Sequence, residues 1–167
     1  AYTYAGAILV NAGEEPTLAG TGLTIPGEPP STGAAYLMKL DRTASRMSAA
    51  VHLPGVGNPT GLAADEQGHL FVAGRAGRGA DFVTAGACRA PEALSICPDK
   101  FPMSSDMYVS KFAAADWRPV YSAILRAACG IQPGGITVDQ RGAATVAIAG
   151  GGGLGLRNPL LAGPACR

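Results

Sequence analysis

Short segments of alternating apolar and polar residues predict a chain made of β-strands joined by tight turns. The clearest pattern is Gly61–Gly74, with the sequence GLAADEQGHLFVAG, in which the apolar residues Leu70–Val72 favour a half-buried strand. Asp65 can cap a type I turn through its own side chain, and Gly68 can adopt the positive φ that reverses the chain. The segment therefore predicts a β-hairpin.

The same hairpin pattern recurs towards the C-terminus. Asp139 lies 74 residues after Asp65 (139 minus 65), and Gly142 keeps the same offset from Asp139 that Gly68 keeps from Asp65. We predict that these four residues form two capped turns. General acid–base catalysis by the two aspartates is the alternative, and the fixed glycine three positions later favours the turn. A looser copy spans 7–20, with an asparagine at the capping position.

Two further strands are predicted after each of the first two hairpins. The third unit ends where its third strand is expected to begin. A helix over Met103–Trp117 is possible, but residues 108–112 alternate with period two, which favours a strand. Pro54–Pro59 is predicted to be a linker of turn residues. The additional strands are predicted at Ala35–Leu40, Arg46–Leu53, Asp106–Phe112 and Arg118–Leu125.

Composition narrows the functional classes. Twenty-four glycines, thirteen prolines and 47% apolar residues suit many short strands, and a disordered chain would be less apolar. The formal net charge of +1 gives no electrostatic support for binding nucleic acid or an anionic membrane. The longest apolar runs are rich in glycine and too short to span a bilayer, so no transmembrane segment is predicted. No signal peptide is visible, although a processed protein has the same appearance.

The repeated motifs resemble the bacterial SBBP-type β-propeller repeat. Unit two carries GLAADEQGHLFVAG, ADFVTAGA, SDMYVSKF and PVYSAILR, unit one carries GAAYLMKLD, and unit three carries GITVDQRGAATVA followed by RNPL. The resemblance implies an all-β fold of tandem four-stranded antiparallel blades in one segment, 1–167. Blade one covers about 6–53, blade two about 61–125 and a partial blade three about 135–167.

About two and a half blades are fewer than the roughly four to eight of a propeller. The blades are therefore expected to form an incomplete ring. A longer polypeptide, with this chain as its fragment, is the favoured explanation because both ends fall inside a blade. Other chains that complete the ring, or a large partner on which open sheets dock, are the alternatives.

The four cysteines, Cys88, Cys97, Cys129 and Cys166, are the most informative chemical feature. In the blade order that the resemblance implies, all four lie on loops at one face. An even count on loops, in a family of mostly exported proteins, favours disulfides, with Cys88–Cys97 and Cys129–Cys166 as the expected pairs. Four free thiols are the main alternative. A four-thiolate zinc site is disfavoured because the sequence has no C-x-x-C pair.

No catalytic, cofactor-binding or metal-binding residues are assigned. His52 and His69 are predicted to have surface or packing roles, and the shared strand position of Lys39 and Lys111 is attributed to the blade. The predicted function is a non-catalytic, exported scaffold or interaction module that acts in the periplasm, at the cell surface or extracellularly. Its expected contact elements are the loops 76–105 and 22–33, and its expected partners are other protein chains or the remaining blades.

The alternative is part of a propeller-type lyase or hydrolase whose active residues lie in blades outside this segment. Such an enzyme needs polar side chains that converge on the channel-facing ends of the inner strands. The inner strands of this segment offer Ile8, Leu62, Ala64, Ile136 and Val138 there.

Overall fold

A computed structural model describes residues 4–9, 15–24, 35–53, 56–76, 106–125 and 131–150. These ranges contain ten β-strands and no helix, so the prediction of an all-β chain is confirmed. The segment around Tyr108 is a strand, which rules out the helical alternative for it. Within each sheet, strands that are consecutive in sequence pair in antiparallel orientation.

The strands form two four-stranded sheets and one hairpin. Sheet one contains β1 (Tyr4–Leu9), β2 (Thr17–Thr21), β3 (Ala35–Leu40) and β4 (Met47–Leu53). Sheet two contains β5 (Val56–Ala64), β6 (Leu70–Ala76), β7 (Asp106–Phe112) and β8 (Pro119–Leu125). The hairpin contains β9 (Ile131–Val138) and β10 (Ala144–Gly150).

The prediction of a linker over Pro54–Pro59 is wrong, because β5 already begins at Val56. The strand accommodates its proline at a β-bulge: Pro59 pairs with Gly74, and the register shifts on both sides of Pro59. A proline is tolerated at such a position because its missing N–H is not needed for the ladder. β9 likewise begins before the predicted Gly135.

Each of the three hairpins has a β-bulge at the same register position. The register shifts between Ala5 and Ala7 in β1 and between Pro59 and Gly61 in β5, and in β9 it shifts between Pro133 and Gly135. The pairs β3–β4 and β7–β8 also have bulges at equivalent positions, Lys39/Leu40 and Lys111/Phe112. Since side chains alternate between the faces of a strand, identical register places equivalent residues on equivalent faces.

Sheet two packs between sheet one and the β9–β10 hairpin. One apolar cluster joins Leu62, Leu70, Val72, Tyr108 and Phe112 of sheet two to Ala19, Ala35, Leu37 and Leu53 of sheet one. A second cluster on the opposite face joins Ala73, Met107 and Val109 to Ile136, Val146 and Ile148 of the hairpin. Burial on both faces explains why nearly every residue of β6 and β7 is buried.

Candidate functional site

The turn between β5 and β6 is held by the carboxylate of Asp65. Its Oδ1 accepts hydrogen bonds from the backbone N–H of Gln67 (3.1 Å) and His69 (2.9 Å). The Gly68 N–H donates to the Asp65 carbonyl at 3.0 Å, and Gly68 has a φ of 80°. That φ lies in the left-handed region, which glycine adopts without steric cost.

The turn between β9 and β10 has the same bonds. Oδ1 of Asp139 accepts from the backbone N–H of Arg141 (2.9 Å) and Ala143 (2.8 Å). The Gly142 N–H donates to the Asp139 carbonyl at 2.9 Å, and the φ of Gly142 is 78°. The Asp-x-x-Gly pattern therefore builds the same local structure in both units.

Asp65 has a second set of partners that Asp139 lacks among the described residues. Lys111 Nζ lies 3.2 Å from Asp65 Oδ2, and His69 Nδ1 lies 2.9 Å from the same oxygen. The Asp65 side chain is only 1% exposed. The Lys111 ammonium also lies over the ring of Phe71, 4.8 Å from its centroid, a distance at which cation–π attraction operates. We call Asp65, His69 and Lys111 the ionic cluster.

Two opposing effects act on the Asp65 carboxyl. Burial raises its pKa, because a low-polarity surrounding disfavours the charged form. Hydrogen bonds from the His69 side chain and backbone, together with the hydrogen bond and charge of Lys111, outweigh burial and hold the pKa below its usual range. Asp65 is therefore ionised near neutral pH, with both oxygens engaged in holding the fold.

The third unit covers the ionic cluster. A Cβ atom added to Gly142 would lie 3.8 Å from Asp65 Oδ2 and 4.0 Å from Lys111 Nζ. The turn of the β9–β10 hairpin thus approaches the cluster from the neighbouring unit. The cluster consequently lies between two units, where loss of water strengthens its interactions.

In unit one, Lys39 occupies the register position of Lys111 but has a different partner. Its Nζ lies 3.2 Å from Glu15 Oε2, and both side chains are partly exposed. Asn11, which the sequence places at the position of Asp65, lies outside the described residues. The strand position of the lysine is repeated, whereas its acidic partner is not.

A cavity of 440 Å³ lies beside the turn, between sheets one and two. Its charged lining comes from Glu15, Lys39 and Arg42 of unit one and from Asp65 and Glu66 of unit two, with Trp117 completing the wall. Within the ranges that the structure describes, no group of three His, Cys, Asp or Glu side chains could hold a metal ion. Charges of both signs line the cavity, so it has no strong preference for an anion or a cation.

The two histidines are separate. His52 Nε2 lies 3.1 Å from the carbonyl of Leu23, which ties β4 to the segment after β2. His69 belongs to the ionic cluster. The four cysteines, Cys88, Cys97, Cys129 and Cys166, lie outside the described residues, as do most of the two predicted contact loops.

The ion pair across sheet two was missed by reasoning from the sequence. The signal available was the equal position of Lys39 and Lys111, since Lys111 pairs with Phe71 on the strand that begins directly after the turn. A cation at this position can reach back to a carboxylate in the turn. What the sequence did not show was which lysine has an aspartate within reach.

Compared with known proteins, the chain matches no family model, and a search of curated proteins finds no similar sequence. The class of protein is therefore defined by the fold alone: an all-β chain of four-stranded antiparallel sheets packed face to face. No helix in the described part of the chain is long and apolar enough to cross a membrane.

Proposed function

We propose that this chain is a non-catalytic interaction module built from propeller-type blades of the SBBP kind. It presents its connecting loops to a partner protein or a larger assembly, outside the cytoplasm. The observation that carries the proposal is the repeated strand register. The three hairpins have bulges at equivalent positions, and so do the pairs β3–β4 and β7–β8.

Packing between the units supports the propeller-type arrangement. The first strand of unit two, β5, contacts β1 and β2 on one side and β9 on the other. Consecutive four-stranded blades of a propeller also succeed one another face to face. The first strands of the three units, β1, β5 and β9, therefore lie next to one another in that order.

The roles of the polar residues in the turns and sheets support a module without catalysis. Asp65 and Asp139 accept backbone hydrogen bonds within their turns, and Lys111 neutralises Asp65. Ser110 and Ser122 form a buried hydrogen bond with each other at 2.8 Å across β7 and β8. These polar groups stabilise the sheets, which leaves recognition to the connections between strands.

The connection from β6 to β7 is the favoured contact element. It joins Ala76 to Asp106 and is about thirty residues long, against a typical connection of about 4–6 residues. Long connections on rigid scaffolds commonly carry binding function. Two disulfides, Cys88–Cys97 within this loop and Cys129–Cys166 between units, are part of the proposal, since an exported module needs its loops held in shape.

The test replaces residues 80–102 with a short Gly/Ser connection and compares this variant with the intact chain. Both carry a photo-crosslinker and are incubated with envelope and secreted fractions of the source cells. We expect the intact chain to crosslink one protein stoichiometrically through this loop, and the shortened chain to lose it while circular dichroism shows the strands unchanged.

A matched control changes Thr43 and Ser45, in the exposed β3–β4 turn, to alanine and is expected to retain the partner. Retention of the partner by the loop-shortened chain would overturn the loop as the contact element. Intact mass after thiol alkylation tests the disulfides: no added mass is expected without reductant, and four added groups would contradict both pairs.

A further inference from the structure

The inner strands of the three units carry the same residue types at the same register positions. Ile8 pairs with Leu18, Leu62 with Val72, and Ile136 with Val146, so the three large residues are equivalent. The residue before each of them points to the opposite face of its strand. Those preceding residues are Ala7, Gly61 and Gly135.

Inside the chain, the large residue of one unit packs against the small residue of the unit before it. A Cβ atom on Gly61 would lie 2.9 Å from the backbone nitrogen of Ile136 and 3.0 Å from its Cγ2. Gly61 thus provides the space that Ile136 needs. Leu62 is only 9% exposed, and Ala7 packs against the cluster that contains it.

At each end of the described array of units, one half of this contact has no described partner: the large residue at one end and the small residue at the other. Ile8 is 63% exposed, although its equivalent Leu62 is buried. A Cβ atom on Gly135 would meet no described neighbour within 4 Å, although the equivalent position at Gly61 is crowded. We call the surface around Ile8 the leading face and the surface around Gly135 the trailing face.

We propose that a second copy of this chain completes both faces. The leading face of one copy seats on the trailing face of the next, with Ile8 in the space above Gly135. This contact continues the interface already present between consecutive units of one chain. It joins two different surfaces, so association is head-to-tail and proceeds until a ring closes or a filament forms.

The side-chain sizes favour a second copy over an unrelated partner. The exposed residues that surround Gly135 on the trailing face are small, namely Thr137, Thr145, Ala147 and Ala149, and the larger Gln132 lies beyond the bulge, paired with Ala149. A surface of small residues accepts a projecting isoleucine in the way that Gly61 accepts Ile136. The near-zero formal charge of the chain adds no long-range repulsion between copies. This inference goes beyond the proposed function, because it concerns strand faces and not loops.

Sedimentation velocity across a concentration series tests it with three variants. The wild-type chain is expected to form species larger than a dimer as concentration rises. Ile8→Lys removes the projecting residue and Gly135→Leu fills the receiving space, so each variant alone is expected to stay monomeric at concentrations at which the wild type associates. Self-association should weaken by about tenfold or more, the effect of losing one buried isoleucine contact.

The decisive experiment mixes the two variants in equal amounts. Ile8→Lys retains an intact trailing face and Gly135→Leu retains an intact leading face, so the mixture should form a one-to-one dimer and nothing larger. A contact between two identical faces gives no such complementation. Wild-type chain that stays monomeric at its highest soluble concentration would overturn the proposal, as would oligomers that persist in both single variants.

Val120→Lys is the matched control, because Val120 is an exposed apolar residue at the β7–β8 bulge, away from the inner strands. It should leave self-association unchanged. Circular dichroism and melting temperature verify that every variant is folded. The loops are intact in Ile8→Lys and Gly135→Leu, so partner crosslinking in these variants separates failure of this inference from failure of the loop proposal.

Discussion

The turns at Asp65 and Asp139 share their backbone hydrogen bonds but differ in everything around them. Both carboxylates accept from two backbone N–H groups, and both turns close on a glycine with a φ near 80°. Asp65 is buried and also binds Lys111 and His69, whereas Asp139 is exposed. The difference separates what four consecutive residues decide from what neighbouring units decide.

The surroundings of Asp65 come from two distant parts of the chain. Lys111 lies on β7, which pairs with β6, the strand that follows the turn. Gly142 belongs to the neighbouring β9–β10 hairpin. For Asp139, the described residues contain no strand that corresponds to β7. One turn therefore acts as a local reversal, and the other also joins two units.

The largest expected effect is the difference between Asp65→Ala and Asp139→Ala. Asp65→Ala removes a cap and leaves Lys111 without its buried carboxylate, which should cost about 3–5 kcal/mol of unfolding free energy. Asp139→Ala removes only the cap and should cost about 1 kcal/mol. Urea unfolding measures both, and equal losses would contradict the structural difference between the two turns.

Replacement of the two lysines at equivalent register positions should also lower the unfolding free energy unequally, with the larger loss in unit two. Lys111→Met leaves the buried Asp65 carboxylate with one donor fewer and should cost about 2 kcal/mol. Lys39→Met breaks an ion pair between partly exposed side chains and should cost less than about 1 kcal/mol. Methionine is unbranched and close to lysine in length, so both variants lose the ammonium group with a similar change in packing. A larger loss for Lys39→Met would contradict the assignment.

The turn glycines should behave alike, because their requirement is local. Gly68→Ala and Gly142→Ala each force alanine into the left-handed region, which costs about 1 kcal/mol. A Cβ atom at Gly142 would meet Asp65 and Lys111 only at ordinary contact distances, so no further loss is expected there. Thermal unfolding tests the equality, and a loss at Gly142 several times that at Gly68 would show that the third unit packs more tightly.

The smallest effect is confined to acid pH. The pKa of Asp65 is lowered in the folded state, so its contribution to stability is present above the unfolded pKa and is lost as pH falls through the folded pKa. The difference in unfolding free energy between the wild type and Asp65→Asn should therefore shrink as the solution is acidified. Urea titrations from neutral to acid pH measure it, and a difference that grows in acid would reverse the sign.

Much of the fold could be predicted from short patterns. The apolar run Leu70–Val72 located one strand, period-two alternation located the strand around Tyr108, and the Asp-x-x-Gly spacing located two turns. The start of β5 was missed, because Pro59 and the glycines that precede it, Gly55 and Gly57, resemble a linker when no partner strand is known. In the sheet the same proline occupies a bulge, where the ladder does not need its N–H.

The candidate site was less accessible to sequence reasoning. The equivalence of Lys39 and Lys111 was visible, but their partners, Glu15 and Asp65, depend on how far each lysine lies from an acid once the sheets have packed. The contrast between Ile8 and Leu62 was also invisible, since both are apolar residues at one position of a repeated strand. Among the described residues, a neighbouring sheet covers Leu62 and none covers Ile8.

Local sequence accounts for most of the strands, the capped turns and the alternation that assigns each side chain to a face, because these depend on residues within a few positions of one another. The packing of the sheets sets which equivalent residues are buried, paired or exposed. Each unit has its own local pattern, but burial and ion pairing require atoms from the next unit, and those distances arise only when the sheets stack.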